Sequence, residues 1–180
     1  MAKAGLLFVG TDDGVVLFSN PGAVGRWLRV GHELRGKAVG AVWARPDNPL
    51  LVLAACGPDG LWRSADGGQS WAQTLETPSI PRSGIGDTFA VLGGNEPTLL
   101  AASSGLYRSP DNGATWQPAA VEPPLGGDVS VIVPASYHID TAFAGTEAGQ
   151  VYITTDRGRS WLLLKDGLPP VRAIGAARLA

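Results

Sequence analysis

Three aspartates recur at a fixed interval in this sequence, and a regularly spaced carboxylate is the first candidate for chemistry. Asp66, Asp111 and Asp156 are each separated from the next by 45 positions. Such a carboxylate either binds a metal ion or a sugar, or accepts hydrogen bonds from the backbone of its own turn. Each aspartate stands in an octapeptide of the pattern Ser/Thr-x-Asp-x-Gly-x-Ser/Thr-Trp, which we call the box.

The residue types in the box suit a turn that satisfies its own polar groups. The carboxylate and the hydroxyls accept from nearby backbone N–H groups, and the glycine tolerates a positive φ. The tryptophan contributes a large apolar area for burial. We therefore favour a structural role over metal or sugar binding for Ser64, Asp66, Gly68 and Trp71, for Ser109, Asp111, Gly113 and Trp116, and for Thr154, Asp156, Gly158 and Trp161.

Polar residues outside the boxes are the remaining candidates for binding or catalysis. Two carboxylates facing each other across a groove can hydrolyse a glycoside, whereas most turns are polar without any catalytic role. No pair of acids stands out by its position, so we predict no catalytic residue. The candidate ligand-binding residues are Asp12, Asp13, His32, Glu33, Arg35, Asp59, Trp62, Arg82, Glu122, Glu147 and Arg172.

The residue types that commonly bind metals or cofactors are few in this sequence and lie far apart. The two histidines, His32 and His138, fall in loops expected at opposite ends of the strands, so we predict no metal site. Cys56 is the single cysteine and closes an apolar run, which suits a small core residue. The sequence has no Ser-His-Asp set for nucleophilic catalysis. It also has no glycine-rich loop that could bind the phosphates of a cofactor, so no cofactor is predicted.

Composition favours a β-protein and excludes several classes of partner. The 180 residues include 25 glycines and 14 prolines, which suits many short strands joined by tight turns. The net charge is −2 and no basic stripe occurs, so nucleic acid is not an expected partner. No apolar run is long enough for a membrane span or a signal peptide, so we expect a cytoplasmic protein without a membrane partner.

The elements that would position these residues repeat with the same period. Each repeat has four short strands, A to D, and the box connects C to D. The A–B and C–D connections share one end of the strands, and the B–C and D–A connections share the other, which carries the candidate ligand-binding residues. The repeats span approximately 1–36, 37–82, 83–127 and 128–170, and a closing strand spans 171–180.

The first repeat departs from the others. It carries a degenerate copy of the box that lacks the aspartate. This copy ends at Trp27, 44 positions before Trp71. Residues 31–37 are expected to form a polar loop, followed by an A strand over 38–44.

Four-stranded units at this period predict a β-propeller. We expect one all-β domain over 1–180, with four four-stranded blades. The chain starts at a B strand and ends after an A-like strand, so the C-terminal strand would pair with the N-terminal blade and remove exposed edges. Two alternatives are a homodimer in which two arcs form one larger ring, and a fragment of a longer propeller.

The segment Gly60–Trp71, together with its later copies, resembles the Asp-box or BNR repeat. That repeat occurs in sialidases, xyloglucanase-type glycoside hydrolases, sortilin-type receptors and photosystem assembly factors. The resemblance implies a propeller whose boxes lie away from the ligand-binding face. A sialidase would also need an arginine cluster with a tyrosine and a glutamate, which this sequence lacks. We therefore predict a non-catalytic scaffold that binds a protein, small molecule or glycan, with a glycoside hydrolase-like enzyme as the alternative.

Overall fold

The computed structural model describes residues 5–21, 26–45, 47–76, 89–93, 98–102, 104–135 and 137–177. In that part of the chain the regular elements are strands, apart from one 3₁₀ turn at Gly57–Asp59. The strands form four sheets in chain order, so the predicted all-β class is confirmed. The chain divides into two compact units, and the prediction of one domain over 1–180 stays a prediction.

The first unit ends at Glu76 and holds two antiparallel sheets. The first has the order β1-β2-β3, formed by Gly5–Thr11, Gly14–Asn20 and Leu28–Glu33. The second has the order β4-β5-β6-β7, formed by Ala41–Arg45, Asn48–Ala55, Leu61–Ser64 and Ala72–Leu75. They match the B, C and D strands of the first repeat and the full set of the second.

The second unit begins at Thr77 and also holds two sheets. The first has the order β11-β10-β9-β8, formed by β8 (Phe89–Leu92), β9 (Thr98–Ala102), β10 (Leu106–Ser109) and β11 (Gln117–Pro118). The second has the order β12-β16-β15-β14-β13, formed by β12 (Ala120–Glu122), β13 (Val129–Pro134), β14 (Ala142–Thr146), β15 (Val151–Thr154) and β16 (Ser160–Lys165).

One strand of the second unit differs from the repeat plan. β12 pairs in parallel with β16, which gives that sheet a fifth strand that the repeat does not predict. The preceding strand β11 has only two residues, so the predicted D strand of the third repeat is split. Prolines at 118 and 123 bound the segment, and proline donates no ladder hydrogen bond.

A separate hydrophobic core lies in each unit. In the first, Val15 and Leu17 from β2 pack with Ala54, Cys56 and Val39, all of them buried. In the second, the buried residues come from both sheets and include Leu92, Leu100, Leu106, Ile132, Ala144, Tyr152 and Trp161. These short strands are nearly continuous apolar runs because their side chains are buried between facing sheets.

The predicted polar loop at 31–37 is wrong at its beginning. β3 continues through Glu33, with Val15 opposite Glu33 and Val16 opposite His32. Pairing with β2 therefore overrides the polar character of these residues, because polar side chains are tolerated on a half-exposed strand. The following A strand starts at Ala41, three residues later than predicted.

The C-terminal segment does not confirm the predicted closure. Residues 171–177 contain no strand. Val171 instead donates its N–H to the Thr146 carbonyl over 3.0 Å, and the Ser130 hydroxyl donates to the Val171 carbonyl over 2.6 Å. No sheet among the described strands closes on itself, and the number of blades in a complete ring is not established by these sheets.

Candidate functional site

The box carboxylates are engaged within their own turns. Asp66 accepts from the backbone N–H groups of Gln69 and Ser70, both over 2.9 Å, and from the hydroxyl of Ser64 over 2.7 Å. The Ser64 oxygen in turn accepts from the Gly68 N–H over 2.8 Å. The boxes around Asp111 and Asp156 repeat the serine or threonine, glycine and aspartate contacts.

Two consecutive residues of each box adopt a positive φ. The sequence predicts this for Gly68, Gly113 and Gly158, whose φ angles are 86°, 77° and 77°. The residue before each glycine shares the conformation, with φ of 75° at Gly67, 59° at Asn112 and 63° at Arg157. The left-handed region is costly for arginine, so other contacts must hold Arg157 there.

Hydrogen bonding lowers the pKa of all three box aspartates. For Asp66 the largest cause is the hydrogen bond from the Ser70 hydroxyl. For Asp111 and Asp156 burial alone would raise the pKa, but the hydrogen bonds from Thr115 and Ser160 outweigh it. A carboxylate held ionised by its own turn cannot supply a proton near neutral pH, which suits a structural role.

A cluster of polar residues in the first unit forms at the end of the strands opposite its box. The turn between β1 and β2 carries Asp13, and the turn before β6 carries Asp59. The chain after β3 runs between these turns, since the Gly14 N–H donates to the Lys37 carbonyl over 2.7 Å. We call Asp13, His32, Lys37, Asp59 and Trp62 the loop surface.

The side chains of the loop surface contact one another. Lys37 Nζ lies 3.2 Å from Asp59 Oδ1 and 4.9 Å from the centre of the Trp62 ring. The Trp62 indole N–H donates to the Asp59 carbonyl over 2.8 Å. His32 Nε2 contacts the Asp13 carbonyl, and Asp13 Oδ1 accepts from the Gly36 N–H over 2.7 Å. The surface therefore presents an aromatic ring beneath a cation, flanked by carboxylates.

Other candidates of the first unit lie around this surface. Arg35 is exposed and donates from Nε to the His32 carbonyl over 3.4 Å, and Asp12 is exposed in the same turn as Asp13. Glu33 is partly buried and lines a separate cavity beside the box that follows β6. Below the surface, burial raises the pKa of the Cys56 thiol to about 11 despite the opposing effect of Lys37, so this thiol is not an activated nucleophile.

The second unit brings together only two of the predicted residues. Arg172 Nη1 lies 3.1 Å from Glu147 Oε1, and both side chains are exposed. An exposed ion pair of this kind contributes little stability, so it is available for a ligand. Glu122 is exposed in β12, and Arg82 falls outside the described residues.

The described residues contain neither a cluster of metal ligands nor a membrane-spanning helix. No group of three or more His, Cys, Asp or Glu side chains among the described residues could hold a metal ion. None of the described segments is a helix with the length and apolar character needed to cross a membrane.

Lys37 is the residue of this surface that the sequence-based analysis missed. It is one of only three lysines among 14 basic residues, and it ends the polar segment that precedes the A strand of the second repeat. That position could have identified it. Its partners Asp59 and Trp62 could not be predicted, because they lie in a different turn and in the strand that follows it.

Comparison with curated proteins identifies VPS10-type receptors. Vacuolar protein sorting/targeting protein 10 of Zygosaccharomyces rouxii is 33% identical over 86 residues, which cover 47% of this chain and 5% of that protein. The protein of that name from Colletotrichum graminicola is 35% identical over 138 residues, or 77% of this chain and 8% of that protein. The human VPS10 domain-containing receptor SorCS2 is 27% identical over 113 residues, covering 59% of this chain and 9% of the receptor.

Solved structures with the same fold are β-propellers. An ancestral GH74 enzyme has a TM-score of 0.66 at 22% identity, covering 87% of this chain and 22% of the enzyme. YCF48 bound to D1 peptide has a TM-score of 0.51 at 16% identity, covering 92% of this chain and 44% of YCF48.

No protein-family model matches the chain. The chain spans less than a tenth of the length of the curated receptors it matches and less than half of these solved structures. These likenesses support a β-propeller of the kind that the box predicts, related to receptor propellers in sequence.

Proposed function

We propose that this chain is a non-catalytic propeller module that binds a protein ligand through the loop surface of its first unit. The observation that carries the proposal is the engagement of both turn carboxylates of that surface. Asp59 is paired with Lys37, and Asp13 accepts from the Gly36 N–H and contacts His32. A catalytic pair would instead need one carboxyl group kept protonated and another free to act as a base or nucleophile.

The composition of the loop surface suits recognition of a polypeptide. Tryptophan is among the residues most often found as hot spots of protein interfaces, and Trp62 supplies one here, with the Lys37 ammonium group above its ring. Asp13 and Asp59 beside them offer acceptors for the N–H groups and basic side chains of a peptide. The surface is built from short turns and one connection, which suits a contact area better than a deep substrate cleft.

The relatives support the same class of function. The curated relatives include a protein named a VPS10 domain-containing receptor, which supports a binding function. The likenesses to peptide-bound YCF48 and to a GH74 enzyme show the fold alone, and the glycoside hydrolase-like alternative is left to experiment. The cytoplasmic location expected from the sequence stays a prediction.

Selection from a random heptapeptide phage library, followed by fluorescence titration of the selected peptide, tests the proposal. We expect Trp62→Ala to weaken binding by about tenfold or more, as for an interface hot spot. Tyr137→Ala in the second unit is the matched aromatic control, because Tyr137 is exposed outside the loop surface. Equal affinity of the Trp62→Ala and control variants would place binding elsewhere.

The enzyme alternative is tested with the same protein preparation. A panel of chromogenic glycosides should show no turnover above the blank. Turnover that a single Asp→Asn or Glu→Gln change abolishes, with melting temperature unchanged, would overturn the non-catalytic proposal.

We further propose that the four sheets are four propeller blades. The first sheet contains three strands in the described residues, and the predicted closing strand over 171–180 would supply its fourth. Pairing of this segment with β1 would close the ring within one chain. Pairing between two copies in a larger ring is the competing arrangement.

A further inference from the structure

A cavity of about 440 Å³ lies within the first unit, between its first sheet and the box that follows β6. This volume is in the range of pockets that hold ligands. The loop surface and this cavity lie at opposite ends of β6, because Asp59 precedes that strand and Asp66 follows it. The cavity is therefore a separate site. Its lining residues are Leu6, Leu17, Ser19, Val30, Gly31, Glu33, Leu50, Asp66, Gly67, Gly68 and Gln69.

The missing side chain of Gly31 helps to open this cavity. Leu17 lies opposite Gly31, next to the bulge at Val30 of β3, whereas in the second sheet Leu61 lies opposite Leu75, next to the bulge at Thr74 of β7. A Cβ added at Gly31 would lie 3.6 Å from the nearest atom of Leu17, an ordinary contact distance. The first sheet thus has a glycine where the second has a leucine, and the space is large enough for a ligand side chain.

The cavity combines an apolar wall with negative charge. Val30 is 58% exposed and Leu50 is 51% exposed, although both line a concave site. Glu33 and Asp66 are the charged residues of the lining, which contains no Lys, Arg or His among the residues described. Asp66 is engaged by its own turn, whereas the Glu33 carboxylate makes no hydrogen bond or ion pair with any residue that the structure describes. Charge complementarity therefore calls for a cation beside Glu33.

The unpaired edge of β3, beside the cavity, favours a peptide side chain as the cation that pairs with Glu33. β3 is an outer strand in the order β1-β2-β3, so its other edge pairs with no described strand. An extended peptide can add to such an edge through main-chain hydrogen bonds and place alternate side chains in one groove. Residues i and i+2 of the peptide would then face the cavity together.

We propose that the cavity binds an extended peptide segment with a lysine or arginine at one position and apolar residues two positions before and after it. The basic side chain pairs with Glu33, and the apolar side chains cover Val30 and Leu50. This proposal does not depend on the loop surface, and its failure would leave the proposed function of that surface untouched.

Fluorescence polarisation with three labelled pentapeptides tests the proposal on the full chain. In Leu-Ser-Lys-Ser-Leu, the lysine and both leucines lie on one face of an extended chain. The first comparison peptide replaces the lysine with glutamate, and the second replaces both leucines with serine. We expect the first peptide to bind and each comparison peptide to bind about tenfold more weakly or worse, because each loses one of the two complementary features.

Variants of the chain locate the binding. Gly31→Leu should fill the cavity and Glu33→Gln should remove its charge, each weakening the lysine peptide about tenfold. Val30→Lys tests the same site through a residue that is 58% exposed. Glu76→Gln and Gly40→Leu are controls, because both residues are exposed and neither lines the cavity; Gly40 also has open space around it. The melting temperature of each variant reports its folding.

Three outcomes would overturn the proposal. The glutamate peptide could bind as tightly as the lysine peptide, which would remove the role of charge. Binding could survive Gly31→Leu and Val30→Lys in folded variants, which would remove the cavity. The protein could also be dimeric in light scattering and become monomeric with Gly31→Leu, which would make a second copy the occupant.

Discussion

At the scale of single residues, the box aspartates hold their turns together by accepting hydrogen bonds. Asp111 accepts from the Thr115 N–H over 2.9 Å, the Thr115 hydroxyl over 2.6 Å and the Ser109 hydroxyl over 2.7 Å. Asp111→Ala leaves these donors without their acceptor, and we expect the free energy of unfolding to fall by about 1–3 kcal/mol. Chemical denaturation at neutral pH measures the change. An unchanged free energy together with lost peptide binding would give Asp111 a ligand-binding role instead.

The same carboxylate makes stability depend on pH in a defined direction. Burial opposes ionisation of Asp111, but hydrogen bonds from Thr115 and Ser109 lower its pKa in the folded protein below the unfolded value of about 3.9. Its contribution is therefore fully present above about pH 4 and is lost as pH falls through the folded pKa. We expect Asp111→Asn to reduce the loss of stability between about pH 4 and pH 2. Parallel acid-unfolding curves for the wild type and the variant would contradict this.

The side-chain contacts of Arg157 are expected to maintain its costly positive φ. Its side chain donates to Thr98 Oγ1 over 3.2 Å, to Asp140 Oδ1 over 3.2 Å and to the Gly93 carbonyl over 3.0 Å. Asn112 has nearly the same φ in the preceding box. Asparagine tolerates this conformation better than arginine, so glycine relieves more backbone strain at position 157 than at position 112. We nevertheless expect Arg157→Gly to cost about 1 kcal/mol more than Asn112→Gly, because it removes three side-chain hydrogen bonds. Thermal unfolding of both variants measures the difference, and a smaller cost for Arg157→Gly would show that the arginine contacts do not outweigh the backbone strain.

At the scale of elements, the box and the neighbouring sheet are packed without spare room. A Cβ at Gly158 would lie 2.3 Å from Leu100 Cδ2, in the core of the second unit. Gly167 has a similar φ of 75° but no atom within 4 Å of an added Cβ. Both alanine variants carry the same backbone cost, so we expect Gly158→Ala to be less stable than Gly167→Ala by about 1–3 kcal/mol of overpacking.

A double-mutant cycle identifies the contact responsible. Leu100→Ala removes the side chain that an alanine at 158 would strike, so the combined variant should lose less stability than the sum of the two single changes. Simple additivity would show that the cost of Gly158→Ala comes from the backbone alone.

The elements also show what could be predicted from sequence and what could not. The C strands, such as Leu61–Ser64 and Leu106–Ser109, match the prediction because the box fixes their ends. Strand β3 was misjudged because His32 and Glu33 are polar, although pairing with β2 keeps them extended. Strand β12 was missed because its partner β16 lies in the next repeat, and local sequence does not show such long-range pairing.

The candidate site shows the same limit. The positions of Asp13 and Asp59 in turns follow from local sequence, since both adjoin glycines between apolar runs. The contact of Lys37 with Asp59 and Trp62 joins different turns, and the cavity depends on the absence of a side chain at Gly31. Neither feature has a motif of its own.

At the scale of the whole molecule, the question is what covers the exposed apolar residues of the first and last sheets. Leu162 and Leu164 are 59% and 57% exposed on β16, and Leu7 and Val9 are exposed on β1. Exposed apolar side chains on a strand face are costly in water where they form a patch, and such patches mark contact sites. Closure within one chain would cover both faces, so we expect light scattering to give a mass near 18.6 kDa across a dilution series.

The double variant Leu162→Lys/Leu164→Lys places charge on the exposed face of β16. It therefore distinguishes a ring closed within one chain from a ring shared by two chains. In a ring closed within one chain, the double variant should stay monomeric but melt at a lower temperature, since two lysines would be buried against the first blade. In a composite ring, the wild type would have twice the chain mass and the double variant would return to a monomer. A wild-type monomer whose melting temperature the double variant leaves unchanged would show that these faces stay open, contradicting closure.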